Sequence, residues 1–171
     1  MERIMSALLL LVSCGLAMAQ DPVSRPSFGD KVPRERQGGM FGVGMGIGAP
    51  TGATVKAWVG DWMGIQAGFG GDLGRLGDFA TTADYLLHFR PFSTGTTEYS
   101  VPVYVGLGVN LSSNTYEDPG TIFFGPRAVL GTSILAREMP VELFFETAPT
   151  LFIYQDVTWS VDGQIGVRYY L

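Results

Sequence analysis

The chain has 171 residues, a length that suggests one domain, and 46% of them are hydrophobic. Charged residues make up only 16%, against about 25% in an average soluble domain, and glycine reaches 24 residues. The formal net charge of −5 argues against nucleic acid as a partner, and a single cysteine excludes a disulfide framework.

The start reads as an export signal. Arg3 supplies a short positive region, Ile4 to Leu16 is apolar, and Ala17-Met18-Ala19 has the small-x-small form of a cleavage site, so residues 1–19 are expected to be a signal peptide cut before Gln20. A rival reading takes Leu11-Val12-Ser13-Cys14 as a lipobox, with Cys14 lipidated; both readings export the chain. The apolar run is shorter than the roughly 20 residues of a spanning helix, and no other segment reads as one. Residues 20–38 are polar, punctuated by Pro22, Pro26 and Pro33, and read as a flexible periplasmic segment ahead of a domain over 39–171.

From Met40 onward the hydrophobic period is two, the signature of strands. Phe41, Val43, Met45, Ile47 and Ala49 alternate with glycines; so many glycines would cost a helix about 1 kcal/mol each. After a turn at Pro50-Thr51-Gly52, Val55, Ala57 and Val59 oppose Thr54, Lys56 and Trp58. Beyond Gly60-Asp61-Trp62, Met63, Ile65, Ala67 and Phe69 oppose Gly64, Gln66, Gly68 and Gly70. Gly71 to Ala80 reads as a Gly/Asp loop. Ala83, Tyr85, Leu87 and Phe89 then oppose Thr82, Asp84, Leu86, His88 and Arg90. A strand from Val101 to Leu111 sets six apolar positions against Tyr104, Gly106, Gly108 and Asn110, and Ser112 to Thr121 reads as a polar loop. Phe124, Ala128 and Leu130 oppose Gly125, Arg127 and Gly131; Val141, Leu143, Phe145 and Thr147 oppose Glu142, Phe144 and Glu146. After a connection near Gln155–Val157, Trp159, Val161, Ile165, Val167, Tyr169 and Leu171 oppose Ser160, Asp162, Gln164, Gly166, Arg168 and Tyr170. About eight antiparallel strands result, and the expected fold is all-β: an eight-stranded antiparallel up-and-down transmembrane β-barrel.

The two faces favour lipid outside over water. One face is Val, Leu, Ile, Phe and Ala with almost no charge, whereas the other is mostly small or amide side chains with thinly spread charges. That second face makes a poor solvated coat but suits a narrow lumen, because a barrel of about eight strands is just filled by its side chains. Its charges nearly cancel: Lys56, Arg90, Arg127 and Arg168 face Asp84, Glu142, Glu146 and Asp162, with His88 beside them, and they are expected to pair as a plug. Outward aromatics fall at both ends of the strands, with Phe41, Phe89 and Tyr169 at one rim and Phe69, Phe124 and Trp159 at the other, where interfacial belts belong.

The chain closes on Gln164-Ile165-Gly166-Val167-Arg168-Tyr169-Tyr170-Leu171. Gln164, Gly166, Tyr169 and Leu171 fill the slots of the terminal signal read by the outer-membrane assembly machinery, Leu171 standing where many members carry Phe. From about Met40 to Leu171 the chain therefore resembles the small eight-stranded outer-membrane barrel superfamily, of the OmpX and OmpA transmembrane-domain type. The resemblance implies an outer-membrane location in a Gram-negative cell, contact with outer-membrane lipid, passage by periplasmic chaperones and assembly by the Bam complex. It carries no catalytic residues.

Other chemistry is thinly represented. Gly42 to Gly48 has glycine at every second position with no helix after it, unlike a phosphate-binding loop, and one histidine leaves no zinc cluster. Glu142 and Glu146 read as ion-pair partners before an acid/base pair. Lipid A enzymes of this size use a rim histidine with a serine and an acid; His88 is the sole candidate base, with Asp84 four residues before it, and lacks a serine on its face. The expectation is a non-enzymatic barrel without cofactor or metal, structural or surface-interacting, with a narrow channel or carrier as the alternative and a lipid A-modifying enzyme behind it.

Overall fold

The computed structural model describes residues 39–72, 75–89, 99–114, 121–136, 138–153 and 157–171. The expected signal peptide, the Cys14 alternative, the 20–38 segment and Arg90 lie outside the described residues. Among the described residues every regular element is a strand: β1 Phe41–Gly48, β2 Thr51–Trp58, β3 Met63–Asp72, β4 Arg75–Phe89, β5 Tyr99–Ser100, β6 Val103–Asn114, β7 Thr121–Ala136, β8 Val141–Phe152 and β9 Thr158–Tyr170.

Eight of the nine close into a ring. Antiparallel neighbours run β1-β2-β3-β4-β6-β7-β8-β9, and β9 returns to β1 with Tyr169 opposite Val43 and Ile165 opposite Ile47. Closure leaves no open edge along the wall for another strand to pair with. The ninth strand, β5, is a two-residue piece that pairs with Leu135 and Ala136 at the end of β7, on the side that β6 occupies further along.

That piece corrects one expectation. The run from Val101 to Leu111 is not continuous; Val101 and Pro102 interrupt it, and β6 begins at Val103. Proline has no N–H to give the ladder. Its carbonyl is used instead, accepting from Ser133 N at 3.1 Å and from Thr132 Oγ1 at 3.1 Å. A second correction concerns the expected loops. Gly71 to Ala80 is largely strand: β3 runs to Asp72, β4 starts at Arg75, and Gly70 pairs with Ala80 and Gly71 with Phe79 before the register shifts between Gly71 and Asp72. Ser112 and Ser113 likewise pair with Phe123 and Ile122, so the expected loop there shrinks from both sides. At the other tight turn Thr51 already opens β2; its hydroxyl donates to Gly48 O and accepts from Gly48 N, while Gly48 sits at φ 142, a conformation open to glycine.

The period-two pattern sorts side chains by face. Outward positions such as Met45, Leu107, Ile165 and Trp159 are exposed, and inward ones such as Lys56, Leu86, Tyr104 and Arg168 are sealed. The interior is fitted by a pairing rule: bulky inward residues lie directly opposite glycines. Lys56 and Tyr170 both pair with Gly42, Arg168 with Gly44, Trp58 with Gly64, Leu86 with Gly106, Asp84 and Arg127 with Gly108, Tyr104 and Glu146 with Gly131, and Phe144 with Gly166. The glycines are needed for room. A Cβ on Gly131 would run into the Tyr104 ring, and one on Gly108 into the Asp84 carboxylate.

Overpacking of a filled core costs about 1–3 kcal/mol. Gly131→Val is accordingly expected to lower stability by about that amount or more, whereas Gly163→Ala, whose added carbon meets nothing within 4 Å, stays within about 0.5 kcal/mol of the parent. Urea midpoints of the refolded variants measure both.

Candidate functional site: a neutral ion-pair network in the barrel

The inward residues at mid-height form one connected polar network. Glu142 on β8 is its centre. Lys56 Nζ on β2 lies 2.7 Å from Glu142 Oε1, while Tyr170 OH donates to Oε2 at 2.6 Å and Arg168 Nη1 approaches Oε2 at 3.4 Å. Arg168 spreads further, donating from Nε and Nη2 to Thr54 Oγ1 at 3.2 and 3.1 Å and from Nη2 to Gln66 Oε1 at 3.1 Å. Its guanidinium carbon stands 3.7 Å from the centre of the Phe144 ring, a cation–π stack.

Gln66 is the bridge to a second centre. Its amide nitrogen donates to Asp84 Oδ2 at 3.1 Å and to Glu146 Oε2 at 3.1 Å. Arg127 Nε lies 3.1 Å from Asp84 Oδ1, and Arg127 Nη2 lies 3.7 Å from Glu146 Oε1. Tyr104 OH completes the shell, donating to Glu146 Oε2 at 3.0 Å.

Charge and burial fit together here. Lys56, Arg127 and Arg168 are buried with Asp84, Glu142 and Glu146, three cations against three carboxylates, and Lys56, Glu142 and Arg168 are 0% exposed. A carboxylate taken out of water without partners would be very costly, and each charge here has an opposite charge within 4.0 Å. The order of the strands makes this pairing possible: Lys56 and Glu142 are 86 residues apart in sequence, and barrel closure brings β2 and β8 face to face across the interior.

His88 lies outside the ion pairs described above. Its ring centroid is 4.3 Å from Trp58 and 5.0 Å from Tyr104, an aromatic stack toward the end of the barrel where the chain enters and leaves. Lys56 Nζ lies over the same two rings, 4.6 Å from Trp58 and 5.2 Å from Tyr104. Asp84, four residues before His88, is committed to Arg127 and Gln66. Asp162 sits apart, nearer the opposite rim and half-buried; Asn110, Thr150 and Ser160 donate toward it at 3.4, 3.5 and 3.3 Å.

Several members of this interior were not singled out in the sequence. Tyr104, Tyr170, Gln66 and Thr54 complete the hydrogen bonds, and Val129, Leu135 and Phe152 add apolar filling to a lumen expected to be mainly small and polar. The available signal was inward parity alone. Trp58, Leu135 and Tyr170 cluster toward the terminal rim, and Leu86, Tyr104, Val129 and Ala148 cluster beside the ion pairs.

Of the residues expected to form a terminal assembly signal, Gln164, Gly166 and Tyr169 lie in β9 and Leu171 follows it. Gln164 Nε2 donates to Pro50 O across the β1 side, Gly166 makes room for the Phe144 ring, and Tyr169 and Leu171 face outward. Among the described residues there is no group of three or more His, Cys, Asp or Glu that could hold a metal ion. No protein family, curated protein or solved structure matches the chain.

Removing one partner of a buried pair costs about 3–5 kcal/mol, because the remaining charges lose their compensation. Glu142→Ala, which strands Lys56 and Arg168, is expected to fall in that range. Replacing Lys56 and Glu142 together by Met and Leu is expected to cost less than Glu142→Ala alone. Equilibrium unfolding in urea gives both values.

Proposed function

We propose that this barrel spans a lipid bilayer, the outer membrane of a Gram-negative envelope, as a non-enzymatic and non-conducting protein with a structural or surface-interaction role. The observation that carries the reading is the inversion of the molecule. Among the residues whose side chains are described, no outward strand position bears a charge, while Leu107 is 73% exposed and Arg168, Lys56 and Glu142 are wholly buried. Water-soluble monomers seldom expose apolar surface continuously around their circumference. A hydrocarbon solvent asks for that surface.

Dimensions and rims support the same reading. A tilted spanning strand needs roughly 9–11 residues. The wall strands run from 8 residues in β1 and β2 to 16 in β7. Phe41, Tyr169 and Trp62 are exposed near one rim and Phe69, Phe124 and Trp159 near the other, as interfacial belts require. The terminal Gln164, Gly166, Tyr169 and Leu171 pattern points to the outer membrane in particular. A lumen blocked by cross-linked ion pairs and two apolar clusters gives no ground for a conducting pore.

The face chemistry supplies a quantitative test. In lipid, an arginine near the midplane of the outward wall costs about 2–4 kcal/mol. On a solvated surface the same change would stay within about 0.5 kcal/mol. Leu107→Arg, measured by urea unfolding from lipid vesicles, is expected to show the larger figure; the smaller one would remove the bilayer reading. Cell fractionation with heat-modifiable gel mobility is expected to place the chain with outer membranes, and planar bilayers are expected to show no stable conductance steps.

A further inference from the structure

Among the described residues the β7–β8 seam loses pairs within its length, and the cause is visible in the residues. Along β7–β8 the pairing passes Leu130 with Thr147, breaks off, and resumes only at Arg127 with Thr150. The neighbouring seams run through unbroken, with Val109 opposite Pro126 and Pro149 opposite Val161. Both prolines therefore turn their missing N–H into the β7–β8 seam. In that register Pro149 stands where Ala128 O needs a donor, and Pro126 stands where Leu151 O needs one. Proline in a sheet is ordinarily confined to edges and bulges. Here two of them weaken consecutive rungs of the same internal ladder, within a few residues of the rim bond from Ile153 N to Phe124 O.

What lies behind the seam is polar. Arg127 and Thr150 face each other between the two defects, and their side chains point inward. Arg127 is 4% exposed and its Nη1 has no hydrogen-bond partner among the described residues; Asn110, one strand away and also 4% exposed, has an unpartnered Oδ1. A donor and an acceptor without partners therefore flank the part of the wall least tied together.

We propose that the barrel opens sideways at the β7–β8 seam, forming a lateral port through which water and small polar solutes of the headgroup region reach Arg127 and Asn110. An opening needs fewer ladder bonds broken here than at any of the neighbouring seams described above, and the polar side chains behind it favour polar visitors over acyl chains. The port rests on the bilayer reading, and the test separates the two: flotation with vesicles reports on membrane insertion, and only inserted protein is carried forward.

In vesicle-inserted protein, backbone hydrogen exchange at Ala128, Leu130, Thr147 and Leu151, whose N–H groups face the seam, is expected to be at least about tenfold faster than at 104–109, whose ladders are unbroken, tenfold being roughly the weight of one ladder bond. Pro126→Ala with Pro149→Ala restores both donors and is expected to abolish the difference. A small polar thiol reagent is expected to label Thr150→Cys, at a rate that falls about tenfold in the alanine background. Labelling of Thr54→Cys, inward on β2 at the far side of the ring from β7, is expected to be unchanged by it. Uniform exchange along the wall, exchange indifferent to the proline replacements, or an equal fall at both cysteines would each overturn the port; the last would assign entry to the barrel mouth.

Discussion

The contacts of Glu142 govern the rest of the interior. One carboxylate takes an ammonium, a guanidinium and a phenol from β2 and β9. Those two strands and β8, which carries Glu142, are held at the right separation only when the ring is closed, because β1 stands between β2 and β9 and carries nothing but glycine on its inward face at Gly42, Gly44, Gly46 and Gly48. A side chain on that wall would push Arg168 and Tyr170 away from Glu142. Ion pairing and the glycine stripe are thus a single constraint: the charges require closeness, and the glycines make closeness possible.

The same constraint makes electrical neutrality structural. In a lumen this narrow, water cannot solvate a misplaced charge, so the three buried cations and three buried carboxylates must satisfy one another. Gln66 matters for this reason. Standing between Arg168 and the Asp84–Glu146 pair, it turns two separate ionic centres into one network by donating with its nitrogen and accepting with its oxygen. The aromatic residues have a complementary part. Phe144 under Arg168, and Trp58 and Tyr104 under Lys56, cover the cations with π-faces on the sides that no carboxylate reaches.

How much of this was legible in the sequence follows from geometry. Strand identity and facing were readable because the side-chain period is two, so Lys56, Asp84, Arg127, Glu142, Glu146 and Arg168 could be assigned to one face. Their partners were not, since the pairing of Lys56 with Glu142 depends on the register of every strand between them. Gly71 to Ala80 misled because glycine and aspartate usually mark turns; here the hairpin carries them within paired backbone across a shifted register. Pro102 misled in the opposite sense, its apolar neighbours reading as unbroken strand where a missing donor splits it.

Pro126 and Pro149 carry that argument furthest. Each, read alone, is a proline in a strand pattern, and each strand alone gives no hint that their missing donors meet. Only the closed register turns the two absences toward one another and sets Arg127 and Thr150 between them. A sequence selected for closure alone would place both defects on different seams, or on a rim, where water replaces the lost bonds. Their convergence on a single internal seam, in a wall whose other seams are continuous at the same positions, ties that weakness to the polar side chains behind it. The same ring that excludes solvent from Glu142 at its centre therefore has a preferred place to yield near its rim.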